Sequence, residues 1–212
     1  MPTTPRLSRS WAAALTLVVL ATGLAACVAE PDAGGATTAP ATSGPSAGPS
    51  STPTPTPTSA ADTISLPTAC DKIYSAGMLS TLDTQTPPLN DPGVTMLSTQ
   101  NVDALEVLNS GAPTIRCSWG TPSESGMSTN VTIVDAAQSA RVLAALQNSG
   151  FACAPGGGGT LCTFQQEQIT QDDKLIKRGE SHLVRGNGWI ATSWLSVNPD
   201  GYTQDIAVTL WG

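Results

Sequence analysis

The distribution of apolar side chains divides the 212-residue chain into three parts. Residues 11–24 are almost continuously apolar, whereas residues 28–62 carry almost no apolar side chain larger than alanine. After them, apolar positions recur at the spacings of helices and strands, which is typical of a folded domain. The pattern predicts a leader at residues 1–26, an unstructured stalk at residues 27–62 and a single folded domain at residues 63–212.

Apolar positions at helical spacing predict four helical segments in the domain. These segments are residues 68–82, 102–109, 136–148 and 202–211. Thr68 and Asp71 stand at capping-box spacing in the first segment, and Gly77 favours its division into two short helices. Asp135 and Gln138 predict a capping box for the third segment. The positions expected to face inward in the second and third segments are Val102, Leu105, Leu108, Ala136, Ala140, Leu143 and Leu146.

The last of these segments fits two structures. Ile206, Val208 and Leu210 alternate as in a strand. Thr203 followed by Asp205 suits a capped helix, and apolar residues four positions apart suit its inward face. We expect the helix.

Three pairs of strand-like runs are separated by turn-forming residues, which predicts three hairpins. The pairs are residues 114–119 with 128–134, 151–153 with 161–164, and 180–185 with 189–197. The sequence Gly-Asn-Gly at residues 186–188 is the strongest hairpin signal in the chain, because asparagine and glycine tolerate positive φ. Residues 165–179 are polar and receive no assignment. We predict an α+β fold, with helices packed on an antiparallel sheet of five or six strands.

The strand at residues 189–197 carries large apolar side chains on both faces, which predicts a central position in the sheet. One face holds Trp189, Ala191, Leu195 and Val197, and the other holds Ile190 and Trp194. Trp189 and Trp194, together with Arg185, are the candidate contacts for a sugar or an apolar ligand, provided that an exposed sheet face displays them. Tryptophan at strand spacing is also typical of a core, since each ring buries a large area.

The predicted domain holds four cysteines, an even number that indicates two disulfides in an exported protein. Cys153 and Cys162 flank one glycine-rich loop, so a hairpin would bring them together. Cys70 on the first helix is then left to pair with Cys117 on the first strand. A four-cysteine zinc site is the alternative, but the spacings contain no close pair of the kind that zinc sites use. We predict two disulfides and no metal site.

Charge narrows the range of partners. The net charge is −7, and it becomes −9 when Arg6 and Arg9 leave with the leader. Nucleic acid is not an expected partner, because its binding depends on lysine and arginine at the phosphates. The same charge disfavours flat contact with an anionic membrane. We expect a monomeric domain.

The end of the leader resembles the bacterial lipobox, Leu-(Ala/Ser)-(Gly/Ala)-Cys, at Leu24, Ala25, Ala26 and Cys27. The resemblance implies a diacylglyceryl group on the Cys27 sulfur, cleavage before Cys27 and acylation, as with palmitate, of the new amino terminus. Two acyl chains suffice for stable anchoring. The protein is then expected on the extracytoplasmic face of the cell membrane. The alternative is an ordinary secretory signal in which Cys27 is incidental.

Several features together resemble a family. They are the lipobox, the stalk with alternating threonine and proline at residues 52–58, Cys70 at the start of the first helix, and the sequence Cys117-Ser118-Trp119. In this layout the chain resembles the small actinobacterial cell-envelope lipoproteins that carry a disulfide-braced domain of unknown function. The resemblance implies an envelope-anchored domain with no established activity.

The sequence contains little that indicates catalysis. His182 is the only histidine and lies in the middle of a predicted strand, and no Gly-x-Ser-x-Gly elbow accompanies it. The glycine run at residues 156–159 lacks the Gly-Lys-Ser/Thr ending of a phosphate-binding loop. We expect no catalytic residues and no cofactor.

These observations favour a non-enzymatic, lipid-anchored binding or interaction domain, whose partner is an envelope protein, a glycan or a small ligand. A structural or accessory subunit of an envelope complex is one alternative, and an unrecognised hydrolase is another. A concave pocket lined by tryptophan would favour the binding domain. A cleft that brings His182 together with an acid and a hydroxyl would favour the hydrolase.

Overall fold

The computed structural model describes residues 62–212; residues 1–61, with the predicted leader and nearly all of the predicted stalk, lie outside this range. In the described range, a 3₁₀ helix (Cys70–Ile73) precedes four α-helices and six strands. The α-helices are α1 (Ala76–Gln85), α2 (Val102–Leu108), α3 (Ala136–Asn148) and α4 (Tyr202–Trp211). The strands are β1 (Thr114–Trp119), β2 (Gly126–Ile133), β3 (Ala152–Gly156), β4 (Gly159–Ile169), β5 (Leu175–Arg185) and β6 (Gly188–Leu195). The predicted α+β fold is confirmed.

The six strands form one antiparallel sheet in the order β1-β2-β6-β5-β4-β3. β6 lies between β2 and β5, as its two apolar faces predicted. The turn between β5 and β6 consists of Gly186 and Asn187, flanked by the paired residues Arg185 and Gly188. Gly186 has a positive φ of 53°, so the glycine supplies the left-handed residue that this tight turn needs.

Helices cover both faces of the sheet and give the domain three layers. On one face, α2 and α3 pack over Trp189 and Ala191 of β6; we call this the α2–α3 face. On the other, the 3₁₀ helix, α1 and α4 pack over Ile190 and Trp194; we call this the α1–α4 face. Because successive residues of a strand point to opposite sides, β6 contributes to two separate cores.

Residues 165–179, for which the sequence predicts no element, belong to β4 and β5, which extend as a polar two-stranded arm and turn at residues 170–174. Two expectations about the strands are wrong. The glycine-rich segment between Cys153 and Cys162 is mostly strand and not loop, because β3 and β4 pair as far as Gly156 and Gly159. Only Gly157 and Gly158, both at positive φ, form the turn. Val197 packs on the α1–α4 face, because β6 ends at Leu195 and Ser196 breaks the alternation with a φ of 58°.

The first predicted helix is broken, although not at the expected residue. Cys70–Ile73 is a 3₁₀ helix without a side-chain cap, so the predicted cap at Thr68 is wrong. Ser75 is extended and caps α1 by accepting a backbone hydrogen bond from its first turn. The Ser75 hydroxyl also donates to the Asp205 carboxylate of α4 at 2.5 Å. This contact with α4 places the break before Gly77.

The inward positions predicted for α2 and α3 are correct only in part. In α2 the buried residues are Ala104 and Val107, whereas Val102 is 71% exposed. α3 has the predicted bounds and capping box, yet its buried residues are Val142, Ala145 and Leu146. Leu146 is buried as predicted, and Leu108 and Leu143 are half-buried against the same core. Ala136 and Ala140, in contrast, are exposed, and Leu105 is only half-buried. The two helices pack on each other as well as on the sheet, so the buried stripe faces two neighbours and not one.

The C-terminal segment is a helix, as predicted. Gly201 precedes α4 in the left-handed conformation, with a φ of 73°, and no side chain caps the helix. The cap expected at Thr203 is therefore wrong, since that residue lies inside the helix. Tyr202 and Ile206 of α4 are buried in the core of the α1–α4 face.

Both predicted disulfides are present. Cys70–Cys117 joins the 3₁₀ helix to β1, and Cys153–Cys162 joins paired positions of β3 and β4. All four sulfurs are thus in disulfides, which excludes the four-cysteine zinc site. None of the helices within residues 62–212 has both the length and the hydropathy needed to cross a membrane.

A chain of hydrogen bonds between side chains runs through the core of the α1–α4 face. The Trp119 indole N–H donates to the Tyr74 hydroxyl at 3.0 Å, and that oxygen lies 2.8 Å from the Tyr202 hydroxyl. Tyr202 bonds in turn to Thr129 at 2.8 Å, and Thr129 bonds to Thr192 at 3.0 Å. Burial raises the pKa of Tyr74 to about 12, against the opposing effect of its hydrogen bonds. Burial also raises the pKa of Tyr202 well above its usual range.

Candidate binding site

A cleft of about 500 Å³ opens on the α2–α3 face, where the first residues of α2 approach the end of α3 and three strands of the sheet. Its apolar wall consists of Met96, Val102, Phe151, Phe164 and Leu195. Trp194 also borders the cleft, although its ring lies in the core of the α1–α4 face. Its main polar groups are Gln100, Asn101, Asp103, Arg178, Glu180 and Ser193. An apolar cleft of this size with a few polar groups is typical of a small-molecule site, which usually measures about 300–1,000 Å³.

Asn101 holds one rim of the cleft in place. Its side-chain oxygen accepts from the Ala104 N–H at 2.9 Å and so caps α2. Its amide group donates to the Ser149 hydroxyl at 2.8 Å and to the Ala145 carbonyl at 3.3 Å. One side chain thus ties the beginning of α2 to the end of α3.

Glu180 of β5 is the buried charged group of the cleft, with 7% of the residue exposed. Its Oε2 accepts from the Thr99 hydroxyl at 2.6 Å and lies 3.0 Å from His182 Nε2. Its Oε1 accepts from the Gln100 N–H at 2.7 Å. The carboxylate therefore binds the segment that leads into α2 to the middle of the sheet.

The histidine tautomer follows from its neighbours. The Trp189 indole N–H, which can only donate, lies 3.3 Å from His182 Nδ1. Nδ1 is therefore the acceptor, and the proton is on Nε2, which donates to Glu180. The His182 ring is fully buried, its plane lies 22° from that of the Trp189 ring, and its centroid is 5.3 Å from that of Phe151 in an edge contact. Both ring nitrogens are thus engaged.

The ionised form of Glu180 is the stable one. Burial by itself would raise the pKa of this carboxyl, because it disfavours the charged form. The hydrogen bonds from His182, Thr99 and the Gln100 backbone, together with the electrostatic effect of His182, outweigh that effect and lower the pKa below its usual value. The cleft therefore presents a carboxylate at neutral pH.

Two neighbours of Glu180 in the sheet also border the cleft. Phe164 of β4 and Ser193 of β6 are its register partners on either side. Residues directly opposite each other in an antiparallel pair lie on the same face, about 4.5–5.5 Å apart at Cβ. A row of aromatic ring, carboxylate and hydroxyl therefore crosses β4, β5 and β6 at the cleft. The rings of Phe164 and Phe151 are 5.4 Å apart.

The predicted ligand contacts do not come together as one platform. Trp189 is fully buried on the α2–α3 face, whereas Trp194 belongs to the core of the α1–α4 face. Arg185 lies elsewhere, with its guanidinium carbon 5.3 Å from the centre of the Trp211 ring and its Nε 3.4 Å from Asp62. Only Trp194 of the three borders the cleft; it also borders a smaller cavity of about 290 Å³.

The His182 cluster does not have the order of a hydroxyl–imidazole–acid triad. A hydrolytic triad places the imidazole between the hydroxyl and the acid, whereas here Glu180 lies between Thr99 and His182. His182 is also fully buried and does not line the cleft. In the described part of the chain, no cluster of histidine, cysteine, aspartate or glutamate is arranged to hold a metal ion.

Glu180, Thr99 and the cleft itself are not among the features that the sequence pattern predicts. One signal was present, because Glu180 and His182 are two residues apart in a predicted strand and so share a face. Thr99 carried no such signal, since it lies in a segment without regular structure 81 residues away from Glu180. The predicted lipid-bearing residue, Cys27, lies outside the described residues.

Comparison with known proteins produced no match: no family model, no curated protein and no solved structure matches this chain.

Proposed function

We propose that this protein is a non-enzymatic, lipid-anchored binding protein of the cell envelope, and that the cleft on the α2–α3 face holds a small, largely apolar ligand. The observation that carries the proposal is a concave site of about 500 Å³ in which aromatic side chains surround one buried carboxylate. Both ring nitrogens of His182 take part in hydrogen bonds inside the protein, so its imidazole is not free for general acid–base catalysis. This supports binding over hydrolysis.

The envelope location is supported by the chemistry of the chain. Two disulfides are typical of an oxidising compartment outside the cytoplasm. The sequence ending in Cys27 resembles a lipobox, and the tract after it suits a tether between a lipid and a domain. We propose that a lipid on Cys27 is the contact with the membrane and that the domain acts as a monomer with no nucleic-acid partner.

Ligand binding in the cleft is testable with the neutral, environment-sensitive dye Nile red. The intact domain should enhance and blue-shift its fluorescence in a saturable manner. Ser193→Trp, which places a large ring in the cleft, should abolish this response. Glu124→Gln, an exposed change away from the cleft, is the matched control and should bind as the parent does. No saturable response by the parent domain, in spite of correct folding, would refute the cleft as a binding site.

The anchor is testable in a bacterial host that processes lipoproteins. An alkyne analogue of palmitate should label the full chain and leave Cys27→Ala unlabelled, with the variant released from the membrane fraction. Mass spectrometry of the processed protein should find the lipid on residue 27. A variant that remains membrane-bound would contradict lipid anchoring while leaving the cleft proposal intact.

An accessory role in an envelope complex is the second candidate. The arm formed by the ends of β4 and β5 projects past the last residue that β6 pairs with β5, Leu195. Ile169 and Leu175 form a register pair on this arm and are 73% and 60% exposed. Replacing both with serine should leave Nile red binding unchanged, and it should weaken membrane-complex assembly only if the accessory role is correct.

A further inference from the structure

Glu180, which borders the cleft, retains one hydrogen-bond acceptor position. Each oxygen of a carboxylate accepts about two hydrogen bonds. Oε2 receives two, from Thr99 and His182. Oε1 receives one from the described residues, the Gln100 N–H. The remaining lone pair of Oε1 belongs to a residue that borders the cleft.

The buried charge of Glu180 has no cationic partner among residues 62–212. Its one close basic neighbour is His182, which is neutral in the tautomer that Trp189 requires. Arg178 is the next residue on the same face of β5, but Gln166 engages its guanidinium. With the amide oxygen turned toward it, Gln166 accepts from Arg178 Nε at 2.5 Å and from Nη2 at 2.6 Å. A desolvated carboxylate held only by neutral donors favours a positive charge beside it.

The groups around Glu180 suit an organic cation. Phe164 is its register partner, and Phe151 packs against Phe164 at the border of the cleft. The face of an aromatic ring attracts ammonium groups through its quadrupole. The charged groups of the lining are two carboxylates, Asp103 and Glu180, and one guanidinium, Arg178, so the lining carries one net negative charge.

We propose that the cleft takes an organic ammonium ion: a ligand with an apolar or aromatic body and a protonated amine that donates to Oε1 of Glu180. This inference rests on the proposed function, since it names the ligand class of the same cleft. The apolar body lies along Met96, Val102 and the two phenylalanine rings. An anionic ligand would bring a second negative charge to a buried carboxylate, which is unfavourable in a desolvated site.

The test compares three probes of similar size that differ in charge: phenethylammonium, phenethyl alcohol and phenylacetate. Each is titrated into the intact domain, and binding is followed by the NMR shifts of the backbone amides at residues 178–180 and 193–195, which border the cleft on β5 and β6. We expect the ammonium to bind about tenfold or more tightly than the alcohol, and phenylacetate to bind most weakly. Because this comparison uses the unmodified protein, it does not depend on any variant folding.

A charge-removing variant then assigns the effect to one residue. Glu180→Gln should lose the preference for the ammonium, and Asp83→Asn, an exposed change on α1 that also removes one negative charge, should keep it. Equal binding of ammonium and alcohol, or tighter binding of phenylacetate, would overturn the inference while Nile red binding still supported the cleft. Failure of all three probes together with Nile red would overturn both. A preference for ammonium that survives in folded Glu180→Gln would contradict the role of this carboxylate.

Discussion

Glu180 and Tyr202 are polar residues at positions where polar groups are usually excluded, since 7% of the first and 2% of the second are exposed. Each is accommodated because the chain supplies partners from distant segments. A buried group that loses such a partner costs about 1–3 kcal/mol. At the scale of single residues, the hydrogen bonds of Glu180 and Tyr202 therefore contribute to the stability of the fold. Because the Glu180 carboxyl and the tyrosine hydroxyls can ionise, that stability depends on pH.

Glu180→Gln tests the acidic side of this dependence. The pKa of Glu180 is lower in the folded protein than in the unfolded chain, so its contribution is present above about pH 4 and is lost as pH falls through the folded value. We expect the variant to be about 1–3 kcal/mol less stable at neutral pH. That difference should shrink in acid, in urea unfolding followed from about pH 6 to about pH 3. A difference that does not change with pH would contradict the assignment, with Asp83→Asn as control.

Tyr74→Phe tests the alkaline side. The pKa of Tyr74 is raised to about 12, so the folded state keeps the phenol neutral where the unfolded chain ionises it. Stability is then complete below about pH 10 and is lost as pH rises toward the folded value. The variant should cost about 1–3 kcal/mol at neutral pH, because the Trp119 N–H loses its acceptor. The free energy of unfolding of the variant should fall less steeply above about pH 10 than that of the parent, and Tyr202 accounts for the pH dependence that remains. The same slope against pH in variant and parent would refute the contribution of Tyr74.

At the scale of the elements, the close packing of β5 against both neighbouring strands depends on a residue without a side chain. Gly179 pairs with Trp194 of β6, and a Cβ atom there would lie 2.6 Å from Cζ2 of that ring and 2.5 Å from the Phe164 carbonyl oxygen. Contacts this short require the ring or the backbone to move. The glycine therefore permits the Trp194 ring to lie over β5 in the core of the α1–α4 face.

Gly179→Ala should consequently destabilise the domain by about 1–3 kcal/mol, as overpacking of a core does. Gly77→Ala is the matched control, since a Cβ at that helical position meets only the Ser75 hydroxyl oxygen at 3.8 Å. The control should gain about 0.5–1 kcal/mol from the better helix propensity of alanine. Urea unfolding of the two variants measures both effects. Equal stability of the two variants would show that the space over Gly179 is not limiting.

At the scale of the whole molecule, the two disulfides constrain the chain to different extents. Cys70–Cys117 spans 47 residues and fastens the 3₁₀ helix of the α1–α4 face to the edge strand β1. Cys153–Cys162 spans 9 residues, and it joins two strands that already form a hairpin. A cross-link that closes a longer loop removes more entropy from the unfolded chain.

Removal of the Cys70–Cys117 disulfide should therefore lower the free energy of unfolding more than removal of the Cys153–Cys162 disulfide. The loop-entropy relation gives about 4 kcal/mol for the Cys70–Cys117 pair and about 2.6 kcal/mol for the Cys153–Cys162 pair. Each pair is replaced by two serines, and unfolding by urea is compared with the parent in the absence of reductant. A larger loss from the short-range pair would indicate that its contribution lies in the packing of Cys162, which is fully buried, and not in loop closure.

Features that depend on residues close together in the chain were predictable from sequence. The capping box of Asp135 and Gln138, the bounds of β1 and α3, and the pairing of Cys153 with Cys162 were predictable from sequence. Each depends on residues close together in the chain, whose geometry is set by backbone conformation. The pairing of Cys70 with Cys117 then followed because no other partner was left.

The features decided by tertiary structure are those in which two distant segments meet. Trp189 and Trp194 were assigned correctly to opposite faces of a central strand, yet the alternation does not tell which face a helix covers and where a cleft remains open. Glu180 became part of a site because Thr99, from a segment without regular structure, crosses to β5. Local preferences act over a few residues and so specify elements and turns. The buried face of α3, the site at Glu180 and the space over Gly179 depend instead on which surfaces exclude water together, and that is settled only when the layers pack.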